Sequence, residues 1–321
     1  MSQKKPQGAR ARARNSPFSV PALNVQEFAR LSGKRGLLEV LGTWALLALV
    51  IGAHLLYPRP WTYALAFALV ASRQYALLVL MHDAFHSLLH PNRRVNDMIG
   101  AWLIGAPCGS SYWGSRYLHL EHHRKLGKAA DPEFLLYSVG PPREKRSAKA
   151  LTAHFLRLML GEQILHTHFG AGGGWKHQPP GRVRSLVIKL GPMLIAQCVL
   201  FGAFFAAGAW LAYFGLWILP LVTLVVLLNG LRVFCDHANS VDEPDDEYHR
   251  LVSYVSTPLE RFFIAPFHMN YHAEHHLFTY VPHYRLPALR RTLQASREVS
   301  TVVQWRLGYV HFVREFLRLS A

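Results

Sequence analysis

The stretch LGPMLIAQCVLFGAFFAAGAWLAYFGLWILPLVTLVVLLNGL, from Leu190 to Leu231, holds no aspartate, glutamate, lysine or arginine in 42 residues. A helix needs about 20 apolar residues to cross a bilayer, so this run predicts two successive membrane-spanning helices. We expect the turn between them near Tyr213–Leu216. The alternative is a pair of buried helices in a soluble protein, which is disfavoured because so long an uncharged run is hard to house in a soluble fold.

Two further apolar runs precede this one. Val40–Pro58 carries no formal charge, and Pro60–Met81 carries only Arg73. Together the runs predict an all-α integral membrane protein with four transmembrane helices, at about 38–57, 61–81, 189–211 and 215–233. In this interpretation residues 36–321 form one membrane domain, and residues 1–35 form a basic, largely disordered cytoplasmic tail.

The net charge of +16 is unevenly distributed along the chain. Residues 1–35, residues 82–185 and the part after Arg232 hold nearly all the cations, whereas the link between the first two runs holds only Arg59. The positive-inside rule therefore places both termini and the segments between the second and third spans in the cytoplasm. Nucleic-acid binding is the competing reading of a basic chain. We expect no nucleic-acid partner, because the cations follow the predicted topology.

Three histidine clusters lie just beyond these apolar runs, in HDAFH, HLEHH and HAEHH. Histidines three or four residues apart share one face of a helix, so each cluster can present several ring nitrogens to a metal. Eight imidazoles are too many for one zinc ion, and they suit a pair of iron ions at the membrane surface. The predicted ligands are His82, His86, His119, His122, His123, His272, His275 and His276.

A ninth histidine, His237, ends the segment NGLRVFCDH directly after the fourth predicted span. It lies at the depth expected for the other clusters, so we predict that it also binds metal; the alternative is a helix-capping or interfacial histidine. Four carboxylates are sequence neighbours of predicted ligands and are expected to orient imidazoles by accepting the distal N–H. They are Asp83, Glu121, Asp236 and Glu274.

The clusters and their flanks resemble the membrane fatty acid desaturase family. RQYALLVLMHDAFHSLLHPNRRVNDMIG (Arg73–Gly100) is similar to the first histidine box of that family and its downstream Arg-x-x-Asn-Asp. HLEHHRKLGKAADPEF (His119–Phe134) is similar to the second box with its Asp-Pro-acidic sequel, and NYHAEHHLFTYVPHYRLPALRRTL (Asn270–Leu293) to the third. The resemblance runs from about residue 70 to residue 295.

The resemblance implies four spans with a cytosolic helical cap that carries the boxes. It also implies two iron ions held by the nine histidines, dioxygen as co-substrate and a double bond introduced into a fatty acyl or related lipid chain. The chain carries no fused His-Pro-Gly-Gly haem module and no ferredoxin cysteine set. A separate electron donor, such as a ferredoxin or a cytochrome, is therefore expected.

Two other functions stay open at this point. The same centre could transfer oxygen instead, which would make the chain a lipid hydroxylase or a carotenoid ketolase, and the boxes do not separate these outcomes. A non-catalytic membrane metal-binding or transport protein is the remaining class. Transport predicts ionisable groups within the spans, and only Arg73 and Lys189 are candidates.

Overall fold

The computed structural model describes residues 25–139, 147–162, 182–238, 251–295 and 303–318. Most of the predicted tail, residues 1–24, lies outside these ranges. The described chain is mostly helical. Its α-helices are α1 (Arg35–Leu56), α2 (Pro60–Phe85), α3 (Arg93–Met98), α4 (Tyr112–Lys125), α5 (Phe134–Tyr137), α6 (Ala148–Met159), α7 (Arg182–Ala206), α8 (Trp210–His237), α9 (Pro258–Phe263), α10 (His272–Leu277), α11 (Leu286–Gln294) and α12 (Tyr309–Arg318).

Shorter elements complete the described chain. The strands are β1 (Val252–Val255) and β2 (Gln304–Leu307), and 3-10 helices lie at Val25–Ala29 and His283–Arg285. A π-helix, Ile99–Gly105, continues α3, and a second one, Tyr213–Ile218, lies within α8.

Three helices, α1, α2 and α8, are long and apolar enough to cross a membrane. The Leu190–Ala206 part of α7 is apolar as well but shorter. In α2 nearly every side chain from Val70 onward is buried, because α1, α8 and the π-helix after α3 pack around it. Tyr63 in the first turn of α2 donates a hydrogen bond to the carbonyl of Gly215, near the start of α8 (3.0 Å). Both helices therefore begin at the same end of the molecule, and their histidine-bearing C-termini meet at the other.

The turn between α7 and α8 lies at residues 207–209, so the prediction of a turn near Tyr213–Leu216 was wrong. Gly208 adopts a positive φ of 68°, and the amide of Ala209 donates to the carbonyl of Phe204 (2.9 Å). A glycine with positive φ is a common way to end a helix, because it has no Cβ to clash. Residues 213–218 instead continue α8 as a π-helix. The uncharged run held no charge that could mark the turn.

A two-stranded parallel sheet departs from the all-α prediction. β1 pairs with β2 in the register Val252 to Gln304 and Val255 to Leu307. Each strand has only four residues, too few for an alternating pattern to appear in the sequence. The sheet matters for the site because Tyr254 in β1 and Asn270 exchange hydrogen bonds (2.8 and 2.9 Å), which fixes the chain just before α10.

Candidate metal centre

The end of α2 presents the first two imidazoles. His82 lies in its last turn and His86 follows its last residue, and their ring centroids are 5.5 Å apart. The carbonyl of Ala84, in the same turn, accepts hydrogen bonds from Asn96 Nδ2 and from the hydroxyl of Tyr112, each 2.9 Å. Carbonyls in the last turn of a helix have no partner within the helix. These two bonds therefore fix the position of the turn that carries the histidines.

Helix α4 divides its three histidines between two directions. His119 and His123 lie one turn apart on one face, with their Nε2 atoms 2.9 Å from each other. The Nε2 of His86 also lies 2.9 Å from that of His119. His122 lies on a different side of the helix and its ring packs against that of His237, with centroids 4.8 Å apart.

Helix α10 divides its histidines in the same way. His275 approaches His123, with 3.3 Å between their Nε2 atoms, and its ring centroid is 4.3 Å from that of His82. On the other side, the Nε2 of His272 lies 2.9 Å from the Nε2 of His237 and 3.0 Å from that of His276.

All nine predicted ligands are thus brought together, eight of them in two adjoining groups. Within each group one ligand atom per residue lies within 4.8 Å of all the others, so each group can hold a metal ion. The first group is His82, His86, His119, His123 and His275, and the second is His122, His237 and His276. His272 lies beside the second group. The groups meet where the rings of His123 and His276 are 4.2 Å apart.

The distances between nitrogens fit metal coordination. Two nitrogens that bind one ion at about 2.1 Å and at right angles are about 3 Å apart, and the closest nitrogens here are 2.9–3.3 Å apart. Neither ring nitrogen of the buried His82 has a hydrogen-bond partner. Buried polar atoms without a partner are rare because they cost free energy, and a bound cation would satisfy one of these two nitrogens.

The pKa values in the centre favour neutral imidazoles, the form that binds metal. Burial lowers the pKa of His119 to about 3. Burial and the neighbouring rings also hold the pKa well below its usual value at His123, His272, His275 and His276. His122 differs, because the negative charges of Glu133 and Asp131 more than offset the effect of burial and raise its pKa.

Two of the four predicted orienting carboxylates lie near an imidazole. An oxygen of Asp236 is 3.8 Å from Nδ1 of His272, and Asp83 Oδ1 is 3.9 Å from Nδ1 of His82. The other two bind elsewhere. Glu121 pairs with Arg124 and Lys125 (both 2.7 Å), and Glu274 accepts hydrogen bonds from Ser253 and Trp305.

The best-placed orienting carboxylate is one that sequence reasoning did not single out. Both oxygens of Asp131 lie 3.0 Å from Nδ1 of His122, so this carboxylate accepts the ring N–H. Asp131 is buried and also accepts the hydroxyl of Tyr137 (2.5 Å). Two residues on, Glu133 lies 3.6 Å from Nδ1 of His119. The Asp-Pro-Glu sequence at 131–133 was the available signal.

A second unassigned network lies around His283. Its Nδ1 donates to Asp83 Oδ2 (2.7 Å) and its Nε2 lies 3.0 Å from Oε2 of Glu39. These two carboxylates outweigh the effect of burial and raise the pKa of His283 to about 9. The ion pairs join α1, the end of α2 and the segment after α10, and Asp83 is the sequence neighbour of His82.

A cavity of about 260 Å³ lies beside the first group of histidines. His82 and His119 form part of its wall, together with apolar side chains such as Leu78 and Phe85. Glu133 and Arg232 add polar groups. A small space with both apolar and polar walls, lined by two of the imidazoles, can hold one segment of a chain-like molecule next to the first group.

The chain is similar in sequence to three enzymes of known activity. The chain is 25% identical over 241 residues to dihydrorhizobitoxine desaturase of Bradyrhizobium elkanii, which covers 70% of this chain and 66% of that protein. It is 27% identical over 216 residues to a beta-carotene ketolase of a Paracoccus strain, with 67% and 73% covered. It is 26% identical over 257 residues to the sn-1 acyl-lipid omega-3 desaturase (ferredoxin) of Synechocystis, with 76% and 70% covered. The chain thus spans slightly less than two thirds of the first relative.

Residues 58–307 match the sequence model of the fatty acid desaturase family. The matched region includes α2, α4, α8 and α10, and with them the eight histidines of the two groups and His272. It covers well over half of the chain, so the protein belongs to the fatty acid desaturase family.

Proposed function

We propose that the protein is an oxygen-dependent membrane desaturase that introduces a double bond into a fatty acyl or related lipid chain. One observation supports this above all: nine imidazoles gather at the shared end of two apolar helices, and two of them, His82 and His119, line a cavity that also has apolar walls. A hydrocarbon segment in that cavity would have its methylenes next to His82 and His119 of the first group.

The donor set fits two iron ions. The first would be held by His82, His86, His119, His123 and His275, and the second by His122, His237, His272 and His276. Two irons held this way would supply dioxygen activation and hydrogen abstraction from an unactivated methylene. Imidazole also suits copper and zinc, but an all-nitrogen pair of sites at a membrane, within this family, favours iron.

The residues of this chain position that chemistry. Asp131 accepts the N–H at Nδ1 of His122, so Nε2 of that ring is left free to face a metal. The apolar walls from Leu78 and Phe85 exclude water from the reacting carbon, which limits side reactions of the activated oxygen. Electrons would come from a separate protein, a ferredoxin or a cytochrome, and one relative carries ferredoxin in its name.

We also propose the topology of four spans with both termini and the metal centre on the cytoplasmic side. The parallel course of α2 and α8 supports it, since the C-terminal ends of both helices reach the centre. Helix α1 runs antiparallel to α2 across the short link at Tyr57–Arg59. The surplus of cations lies on the centre side of this arrangement.

A second function uses the same centre. Relatives named beta-carotene ketolase match about as well as the desaturases do, so oxygen insertion into a lipid or carotenoid is the second candidate. Both reactions begin with removal of one hydrogen from carbon. They differ in whether a second hydrogen is lost or oxygen is gained.

Product analysis in a host that makes both lipids and carotenoids tests the proposal. The chain is expressed with a ferredoxin and its reductase, and extracts are analysed by mass spectrometry. A loss of two mass units with a new double bond supports the desaturase, and a gain of oxygen supports the second function. The His275→Ala variant should give neither product, whereas His90→Ala, outside both groups, serves as the matched control. Products from His275→Ala at the control level would contradict the metal assignment.

A further inference from the structure

A second cavity, of about 390 Å³, adjoins the one at the metal centre. Its wall comes from the π-helix after α3, from the start of α4 and from α7. Ser110 lines both cavities. This serine is therefore the boundary between a space that reaches His82 and His119 and a space that lies further from the metals.

The second cavity lies on the face of the protein that is apolar and exposed. Trp102 and Trp113 on one side are 43% and 46% exposed, and Leu194 and Ile195 on α7 are 64% and 55% exposed. In a protein with membrane-spanning helices, such a surface is where lipid is the neighbour, and tryptophans mark the interfacial level. The apolar side chains of α7 belong to the segment Leu190–Ala206, which is apolar but shorter than the three helices long enough to cross a membrane.

Helix α7 has little side-chain bulk where it lines the second cavity. Gly191 has no other atoms within 4 Å of the position that a Cβ would occupy, so open space lies next to it. Pro192 follows within the helix and has no N–H to bond to the preceding turn. Between this part of α7 and the inner cavity lies Ser110, a residue with a small side chain that lines both cavities.

The volumes are compatible with one joined site. Ligand sites are typically about 300–1,000 Å³, and the inner cavity alone falls below that range. The two cavities together lie within it. A single elongated occupant, with its reacting segment beside His82 and the rest beside Trp102, fits this shape.

We propose that the substrate chain enters sideways from the bilayer, between Trp102 and Trp113 on one side and Gly191–Ile195 on the other, and passes Ser110 to reach the metal centre. The substrate class is therefore a chain that belongs to a membrane-resident lipid. It is not a water-soluble acyl thioester delivered from the cytoplasm. The proposal rests on the proposed function for its reacting chain, but the route itself can be tested without turnover.

The test is photolabelling of the full-length protein in phosphatidylcholine vesicles, with no electron donor present. The probe is a phosphatidylcholine that carries a diazirine in the middle of one acyl chain, and labelled residues are mapped by mass spectrometry. We expect label at Trp102 and Met193 in the outer cavity and at Met81 and Leu118 in the inner one. A diazirine-bearing acyl-coenzyme A serves as the water-soluble comparison.

Blocking the boundary should separate the two cavities. In Ser110→Trp, inner-cavity labelling should fall about tenfold, since an indole does not fit where a hydroxymethyl group was, while labelling at Trp102 persists. Ser110→Leu should give an intermediate loss. The control is Leu49→Trp, which adds the same bulk at an exposed position of α1 away from both cavities. If Ser110→Trp does not fold, Met193→Trp fills the outer cavity from α7 and tests the same route.

Each outcome decides the route. The route is refuted if label persists in the inner cavity of Ser110→Trp. It is also refuted if the wild type shows no label in the inner cavity, or if only the soluble thioester labels that cavity. The label pattern is read without products, so a wild type that makes no product would refute the proposed function and leave the route to its own result. An active wild type whose blocked variants keep full label and full activity would refute the route alone.

Discussion

Replacing Asp131 with asparagine removes the negative charge that holds His122. The carboxylate accepts three kinds of donor: Nδ1–H of His122, the hydroxyl of Tyr137 and the amide of Glu133. Asparagine keeps one acceptor oxygen and adds an NH₂ group that donates. It therefore offers a single uncharged acceptor oxygen where the carboxylate used both of its oxygens, and the bond that fixes the ring of His122 is weakened.

The expected loss follows from the strength of one buried, charge-assisted hydrogen bond. Such a bond is worth about 1.5–3 kcal/mol, which corresponds to roughly 10- to 150-fold in an equilibrium constant. Removal of an orienting partner of a metal ligand typically costs about 10–100-fold in metal affinity or activity. We therefore expect Asp131→Asn to lose iron and product by one to two orders of magnitude, because the two figures agree.

The assay measures iron per chain by elemental analysis and product yield on the same preparation, across a series of chelator concentrations. Glu121→Gln is the matched control, because that carboxylate is paired on the surface with Arg124 and Lys125 and such pairs contribute little. Tyr137→Phe removes one donor to Asp131 but leaves its charge, and its effect should be smaller. Iron affinity in Asp131→Asn equal to that of the Glu121→Gln control would refute the orienting role.

Three further predictions use the same structure. His237→Ala should lower iron occupancy and activity together, whereas His90→Ala should change neither; full iron in the His237 variant would reduce that residue to a helix-end histidine. The pKa of His283 is raised to about 9 in the folded protein, whereas its value in the unfolded chain is about 6.5. Its ion pairs therefore stabilise the fold fully below about pH 6.5, and this stabilisation is lost as the pH rises through 9. Their contribution to the free energy of unfolding is on the order of 3 kcal/mol. The melting temperature of the wild type should therefore fall over that range more than that of His283→Gln, and parallel curves would contradict this. Single cysteines placed in Tyr57–Pro60 or at Gly208 should react with impermeant reagents from outside the cell, and protection of both would overturn the proposed topology.

The sequence was most informative where chemistry and periodicity coincide. The spacing within the boxes was enough to predict that eight histidines lie together in the folded chain. The position of His237 after an apolar run was enough to predict that it lies with them. It was less informative about the direction of each ring. Asp83 and Asp236 lie near imidazoles while Glu121 and Glu274 do not, because adjacency along a helix puts neighbours about 100° apart and says nothing of what each one faces.

The remaining differences come from contacts between distant segments. His283 and Asp83 are 200 residues apart and meet only in the folded chain. The pairing of β1 with β2 joins segments about 50 residues apart and leaves no trace in either four-residue strand. A turn at Gly208 could have been predicted from the glycine that follows two alanines. Gly215 in the same uncharged run was an equally good candidate for the turn.

In both α4 and α10, histidines that are adjacent in sequence belong to different groups: His122 and His123, and His275 and His276. Each of these short helices therefore supplies ligands to both metal positions. An ion bound in one group would restrict the rotation of both helices and so order the ligands of the other group. Because the first ion would then bear most of the ordering entropy, we expect metal titration of the apoprotein to be positively cooperative, with species holding one ion scarce at half saturation.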